Sequence, residues 1–334
     1  MSTPSGVWNA HLAATTLDVT ADVLECTMTD EPFAGTLRLV LRNDDGRYSA
    51  PPPVRIGAEV RIGTGYKTAS GPLASDGPWC WIDGIEYRTH RGEGSVVISG
   101  RNGWGLLEAW RARRTYAWAV GQTNIFNILL QLFARVGLEF SSVSASADAT
   151  NLKPAFAIQP GESGLTAVQR LLSMLSDAIY MEGQYGYLKN PLASDAAVVD
   201  YGATYPILAA RYTNAGAKAN RVQVFGSTTF SEAFDWPSID LAYDRVAHVS
   251  DRNLTTQALT DSRAAALLRH ALTEARADEI TVPVHCGLQL WDVISVTDAG
   301  AGLVAAKRRV AGIEMRYSTG ERGTYEQRLT LREA

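Results

Sequence analysis

Ser163, within Gly161-Glu-Ser-Gly164, comes nearest to nucleophilic chemistry in this sequence. A serine on a sharp glycine-flanked turn before a helix can present its hydroxyl for acyl transfer. That elbow needs a second glycine, and this chain has Leu165 there. The same residues make a good helix start, because Ser163 or Glu162 can accept from the free amides of a first turn. His285-Cys286 sets a base beside a thiol. In a strand, neighbours point to opposite faces, so these two make a poor nucleophile–base pair, and Cys286 reads as a buried structural thiol. His11, His90, His248 and His270 are dispersed, without the spacing of a zinc site. Gly63-Thr-Gly65 with Gly71 is too loose for a phosphate-binding loop and precedes no helix, which leaves a connection between strands. Glu25 with Asp30 is one of many carboxylate pairs available among 35 acids, and nothing singles it out for glycoside hydrolysis. The expectation is therefore no catalytic residue, no metal site, no cofactor and no enzyme.

One cluster points to a surface instead. Trp104, Trp110 and Trp118 interleave with Arg101, Arg111, Arg113 and Arg114. Tryptophan with arginine is an interface composition. It also fits a nucleic-acid platform, or core aromatics beside a solvated charge run. Subunit or partner contact through Trp104, Trp110, Arg111, Arg113, Arg114 and Trp118 is the expectation carried forward.

The chain that must position these groups has 334 residues, 46% hydrophobic and 20% charged, enough for two or three domains with real cores. A net charge of −4 argues against a protein that grips nucleic-acid backbone, though an acidic lining would let DNA pass without sticking. Three scattered cysteines make no disulfide framework and fit assembly in a reducing cytoplasm. Met1–Trp8 has no signal-peptide pattern, and no apolar run approaches the roughly 18 residues of a membrane span, so membrane insertion by this chain is not expected.

The first hundred residues read as strands. Leu37, Leu39 and Leu41 alternate with Arg38, Val40 and Arg42, and turn residues Asn43–Gly46 follow. Pro51–Pro53 reads as an extended connector. Further strands are predicted near Glu59–Ile62, Trp79–Arg88 and Ser95–Gly100. Ile125, Ile128, Leu129, Leu132 and Val136 then recur at helical spacing, with Thr123 or Gln122 as cap and Gly137 as stop. A second helix is predicted from Ser163 to about Ala178, a hairpin over Ile179–Leu188, and a third helix over about Asp261–Ala275. Strands return at Glu279–Val284, Asp292–Thr297, Arg309–Tyr317 and Tyr325–Leu331. This order predicts an α+β, mainly β fold: a first β-barrel over 1–115, a mixed α/β middle over 116–200, and a second β-barrel with its helix over 201–334.

The two β regions share a motif. Ile82-Asp-Gly-Ile-Glu-Tyr-Arg88 and Val310-Ala-Gly-Ile-Glu-Met-Arg316 match at Gly, Ile, Glu and Arg. Each copy follows a strand, Glu59–Ile62 or Asp292–Val296, and leads through a polar glycine turn, Arg91–Gly94 or Gly320–Gly323. Duplication of a barrel implies pseudo-symmetry, and a homotrimer would then display six similar barrels in a ring.

Asp44-Asp-Gly-Arg-Tyr48, Gly57-Ala-Glu-Val-Arg-Ile62, Ile82-Asp-Gly-Ile85 and Ser99-Gly-Arg101 resemble the first barrel of phage tail hub proteins, the baseplate hub and late-control protein D group. The helix ending in Val136-Gly-Leu138, the segment Glu162–Leu172 and the following hairpin fit the same family. Asn220–Gly226 and Gly287–Val293 look like parts of its second barrel. Residues 227–250 match no pattern. The resemblance implies a pseudo-sixfold homotrimer at the virion tail tip, with a tail tube or distal tail protein on one face. A spike, tip or tail-fibre protein would sit on the other, with a tape-measure protein among the candidate partners and DNA passing through without specific binding. A distal tail ring adaptor is the neighbouring structural alternative. A tail-associated hydrolase acting on cell-wall or surface glycan is the enzymatic one, and a carbohydrate-binding module the third.

Overall fold

The computed structural model describes residues 16–49, 54–69, 71–213, 219–273, 278–320 and 323–334. The Pro51–Pro53 connector, Met1–Trp8 and His11 lie outside the described residues, as do Ala275 and part of the Gly320–Gly323 turn. The chain runs through β1 (Val23–Glu31), β2 (Ala34–Arg42), β3 (Glu59–Val60), β4 (Gly63–Thr68), β5 (Gly71–Asp76), β6 (Cys80–His90) and β7 (Glu93–Arg101). The middle comprises α1 (Gly103–Ala109), β8 (Tyr116–Trp118), α2 (Ile125–Arg135), β9 (Glu139–Ser144), α3 (Ala147–Asn151), β10 (Phe156–Ile158), α4 (Gly164–Leu172), β11 (Ala178–Glu182) and β12 (Tyr185–Lys189). Next come β13 (Ala197–Tyr201), β14 (Ala209–Arg211), β15 (Arg221–Phe225), β16 (Phe230–Phe234), α5 (Trp236–Ala242), β17 (Val246–Ser250) and α6 (Gln257–Thr273). The chain closes with β18 (Asp278–Pro283), β19 (Val293–Asp298), β20 (Leu303–Ser318) and β21 (Thr324–Glu333).

The fold is α+β and mainly β, as the segregated pattern predicted. The two β regions are not separate closed barrels among the described residues. They share one 11-stranded sheet, whose path runs β14-β18-β21-β20-β1-β2-β7-β6-β3, with β19 joined to β20 and to β13. The merger occurs because β20 is 16 residues long. Its first half pairs with β19 and its second half, Ile313–Ser318, pairs with β1.

The duplicated motif is real at the level of backbone geometry. The first repeat is ordered β1-β2-β7-β6-β3 and the second β14-β18-β21-β20-β19, with the same chain order in each. The register of β6 on β7 shifts between Ile82 and Gly84, and that of β20 on β21 shifts between Val310 and Gly312. One extra residue at the same motif position, Asp83 or Ala311, therefore bulges in both. Gly84 then faces Ser99 and Gly312 faces Thr330, and an added Cβ would meet that side chain at 3.4 Å or 3.2 Å. Glu86 pairs with Arg88 at 2.9 Å, and Glu314 pairs with Arg316 at 2.8 Å. The Gly57 amide donates to the Ile82 carbonyl at 2.7 Å and that of Trp291 to Val310 at 2.8 Å. Both donors have positive φ, +81° and +71°. Glycine adopts this freely. Trp291 does so at a cost of about 1–2 kcal/mol, and its indole is held by a 3.3 Å bond to the Ile179 carbonyl.

Each repeat carries an insert. The β4–β5 hairpin, built on Gly63, Gly65 and Gly71, separates β3 from β6. Between β14 and β18 lies a small α/β unit in which α6 covers the β16-β15-β17 sheet over Val222, Val224, Leu254, Ala264 and Leu268. Residues 227–250, unplaced from sequence, supply its β16, α5 and β17.

The middle region has its own core, formed by Ile125, Ile128, Leu129, Leu132 and Phe133 of α2 with Val168 and Leu171 of α4. Asn124, one residue later than predicted, caps α2 by accepting from the Asn127 amide at 2.9 Å. Gly137 ends the helix as predicted, at φ +80°. The second predicted helix stops at Leu172, six residues early. Ala178–Met181 are needed as a fully buried strand there, and Asp177 just before them accepts from the Ser146 amide at 2.8 Å. The third predicted helix starts four residues early, at Gln257, where the Thr256 hydroxyl accepts from the Leu259 amide.

Candidate functional site

The residues with chemical potential are used structurally. Ser163 is buried, and its Oγ accepts from the Thr166 amide at 3.0 Å, the cap of α4 rather than an exposed nucleophile. The His285 ring lies edge-on to Tyr205, whereas Cys286 packs against the core of the first repeat; both stand past the end of β18 at Pro283, in a turn rather than in the strand expected from sequence. Cys286 is half-buried, less enclosed than the buried thiol expected from sequence. Glu25 and Asp30 lie five residues apart on β1, on opposite faces and about 16 Å apart at strand rise, beyond the span of a glycosidase pair. Among the described residues no group of three or more His, Cys, Asp or Glu could hold a metal.

A cleft of about 110 Å³ does form where the two repeats and the middle region meet, lined by Met28, Asp30, Asp76, Tyr180, Glu182 and Cys286. Burial, helped by the adjacent Glu31 carboxylate, pushes the Asp30 carboxyl from 3.8 up to about 8. Asn102 offers it a 3.3 Å hydrogen bond. A carboxyl with a raised pKa in the folded state favours folding only while protonated. Its stabilising influence is full below about pH 4 and is lost as pH rises through 8. We expect Asp30→Asn to flatten this slope: its melting temperature should exceed that of the native chain at pH 8.5 by more than at pH 4. Equal differences at both pH values would remove Asp30 as the cause.

The tryptophan–arginine cluster divides on folding. Trp104 is 2% exposed and belongs to the middle core, edge-on to Phe33 at 5.3 Å and to Phe133 at 6.3 Å. It is therefore not available to a partner, contrary to the sequence expectation. The cause is the first turn of α1, where Asn102 accepts from the Trp104 amide and aims the indole inward. Trp110 and Trp118 are half-buried against the same core, beside Tyr116 and Phe156. Arg111, Arg113 and Arg114 are exposed. Arg111 donates to the Glu108 carbonyl, and Arg114 lies 5.4 Å from the Tyr116 ring centroid. What remains at the surface is a cationic strip with two half-exposed indoles.

Sequence reasoning missed the free strand edges. Among the described residues no strand lies on one side of β14 or of the outer half of β6, both of which carry exposed residues, and nothing in a local pattern distinguishes an edge from a central strand.

The sequence matches no protein-family model and no curated protein. The fold matches solved structures over nearly its whole length. A tail protein from Neisseria meningitidis superposes with a TM-score of 0.71 at 13% identity, covering 93% of this chain and 92% of that one. The 43 kDa tail protein of prophage MuSo2 from Shewanella oneidensis gives 0.62 at 13% identity, over 92% and 93%. An Escherichia coli component of the type VI secretion system, itself similar in structure to the bacteriophage T4 tail proteins gp27 and gp5, gives 0.57 at 13% identity, over 94% and 74%. At such identity the likeness is one of fold: this chain has the fold of phage tail proteins and of their type VI secretion counterpart.

Proposed function

We propose that this chain is a structural, non-enzymatic component of a phage-type tail, a baseplate hub that joins the end of the tail tube to the spike or tip complex and gates passage through it. The observation that carries this reading is the duplication of a five-stranded unit within a fold shared with tail proteins. Three chains would present six like units to a sixfold tube on one face and a threefold surface to a spike, tip or tail-fibre protein on the other. In this reading the domains divide as 1–115, 116–200 and 201–334, the two β regions act as paired barrel-type units, and DNA passes without specific binding. The surface strip of Trp110, Arg111, Arg113, Arg114 and Trp118 supplies a subunit or partner contact.

The native mass by light scattering after size exclusion tests the reading. Three copies of the 36.1 kDa chain, 3 × 36.1 = 108.3 kDa, fit the hub. Six copies would favour a ring adaptor, and a monomer that ignores tail-tube protein would sink both. Arg111→Glu with Arg113→Glu and Arg114→Glu should weaken assembly or partner capture at least tenfold. These side chains are exposed, so the fold should survive; unchanged assembly would remove the strip from the interface.

A further inference from the structure

The repeats also say what must cover an open sheet edge. Inside the chain, the first strand of the first repeat, β1, lies antiparallel on the outer half of β20 of the second. Cys26 faces Tyr317, Thr27 faces Arg316, Met28 faces Met315 and Thr29 faces Glu314. The counterpart of β20 is β6, and among the described residues no strand lies on the outer side of β6 beyond its pairing with β3 at Cys80 and Trp81. The counterpart of β1 is β14, and none of the described strands lies on its side away from β18. One junction is made within the chain, and both halves of its twin are without a partner strand among the described residues.

Burial records the gap. Met315, at the junction, is 3% exposed, whereas its counterpart Tyr87 is 48% exposed on the same motif position. Glu86, Arg88 and His90 are likewise exposed, as are Ala209, Ala210 and Arg211 of β14. Unpaired edges of this length are a template for another strand and are normally covered.

We propose that β14 of one subunit pairs with the outer half of β6 of the next, in the register that β1 adopts on β20. The equivalences set the register completely. Arg211 stands opposite Glu279 as Thr27 stands opposite Arg38, and Glu279 and Arg38 both face the strand residue, Thr330 or Ser99, that packs on the motif glycine. Transferring the junction places Ala209 opposite His90, Ala210 opposite Thr89, Arg211 opposite Arg88, Tyr212 opposite Tyr87 and Thr213 opposite Glu86. Tyr87 and Tyr212 form a cross-strand aromatic pair where the internal junction has Met28 and Met315. Arg211 meets Arg88, a like-charge pair that by itself opposes the contact, but Glu86, whose carboxylate already holds Arg88 at 2.9 Å, lies diagonally within reach of the incoming guanidinium and offsets the repulsion. The contact is head-to-tail, so it extends by rotation into a ring in which first and second repeats alternate. The count of three chains rests on the hub reading; the edge pairing does not.

The test is disulfide trapping in the full-length protein. His90→Cys with Ala209→Cys brings Cβ atoms to about 4.5–5.5 Å across an antiparallel pair, within reach of a bridge after small adjustment. Mild oxidation should convert most of the double variant into covalent dimers and larger closed species, while each single variant stays monomeric on a non-reducing gel. Cross-linking by a single variant would mean a two-fold contact and overturn the proposal. So would preferential trapping of Arg88→Cys with Ala209→Cys, a register slipped by two residues. A native trimer that binds tail-tube protein but traps at neither pair would overturn the edge pairing and leave the hub reading standing. Trapping in a ring that does not recognise tube protein would do the reverse.

Discussion

Asp278→Leu should lower the unfolding free energy by about 3–5 kcal/mol, because it strands a guanidinium inside the second repeat. Arg308 Nε donates to Asp278 Oδ2 at 2.8 Å, with the two side chains 5% and 3% exposed. The other carboxylate oxygen accepts from the Thr213 amide at 2.9 Å, so the same substitution frees an amide just past the end of β14. The duplication supplies the control. Leu37 corresponds to Asp278 and Cys80 to Arg308, and in the first repeat both are buried and apolar, at 2% and 1% exposure. The backbone therefore tolerates an apolar pair at this place. A buried ion pair replaced by apolar residues of similar volume is often neutral or stabilising. Asp278→Leu with Arg308→Met should recover most of the loss, to within about 1 kcal/mol of the native chain in urea unfolding. A double variant as unstable as the single one would show that the loss comes from the freed amide and local packing, not the stranded charge.

Trp104→Ala should cost about 3–5 kcal/mol, and the loss should appear as stability rather than as assembly. The indole fills the space between α1, Phe33 of the β1–β2 turn and Phe133 of α2, tying the first repeat to the middle core. Its Nε1 is buried without a hydrogen-bond partner, so volume and ring contacts carry its contribution. Trp104→Phe keeps a ring and removes the unpaired donor, and should cost less than about 1.5 kcal/mol. Thermal or urea unfolding checks both, alongside the native mass. If Trp104→Phe left stability untouched but broke the oligomer, Trp104 would return to the interface from which its burial removes it.

Position along the chain explains why the two β regions form a single sheet. A strand of ordinary length would pair once on each side. β20, at 16 residues, has room on one side for both β19 and β1, and that surplus welds the repeats edge to edge. β6 is shorter, at 11 residues, yet it too extends beyond the two residues that β3 covers. The same surplus that joins the repeats within a chain is thus available between chains.

Local patterns determined a good deal by themselves. Leu37, Leu39 and Leu41 alternate and are buried as alternation demands. Ile125 to Leu132 recur at helical spacing and fill the middle core, and Gly137 stops that helix through a positive φ that few other residues adopt. The Gly-Ile-Glu-x-Arg motif marked a true duplication, because a bulge, a glycine against a small hydroxyl residue and an in-strand ion pair each need particular residue types at fixed offsets. The helix start at Ser163 was equally legible, and its hydroxyl serves as the cap its neighbours allowed.

Tertiary structure decided the rest. β1 carries a short alternation, Leu24, Cys26 and Met28 against Glu25, Thr27 and Thr29, but that its neighbours are β2 on one side and β20 on the other is decided only by the fold. Ala178 leaves a helical pattern because it pairs with Lys189 of β12 and opens the buried strand β11, a tertiary demand that overrides its own helical preference. Trp104 and Arg113 looked alike as parts of one surface cluster. Which of them is buried depends on the direction in which α1 enters the core, and periodicity within a short segment carries no information about direction relative to the rest of the fold. The edges of β6 and β14 that no described strand covers were invisible for the same reason: a strand's sequence records which face is buried, whereas its edges are defined only by the strands that do or do not arrive beside it.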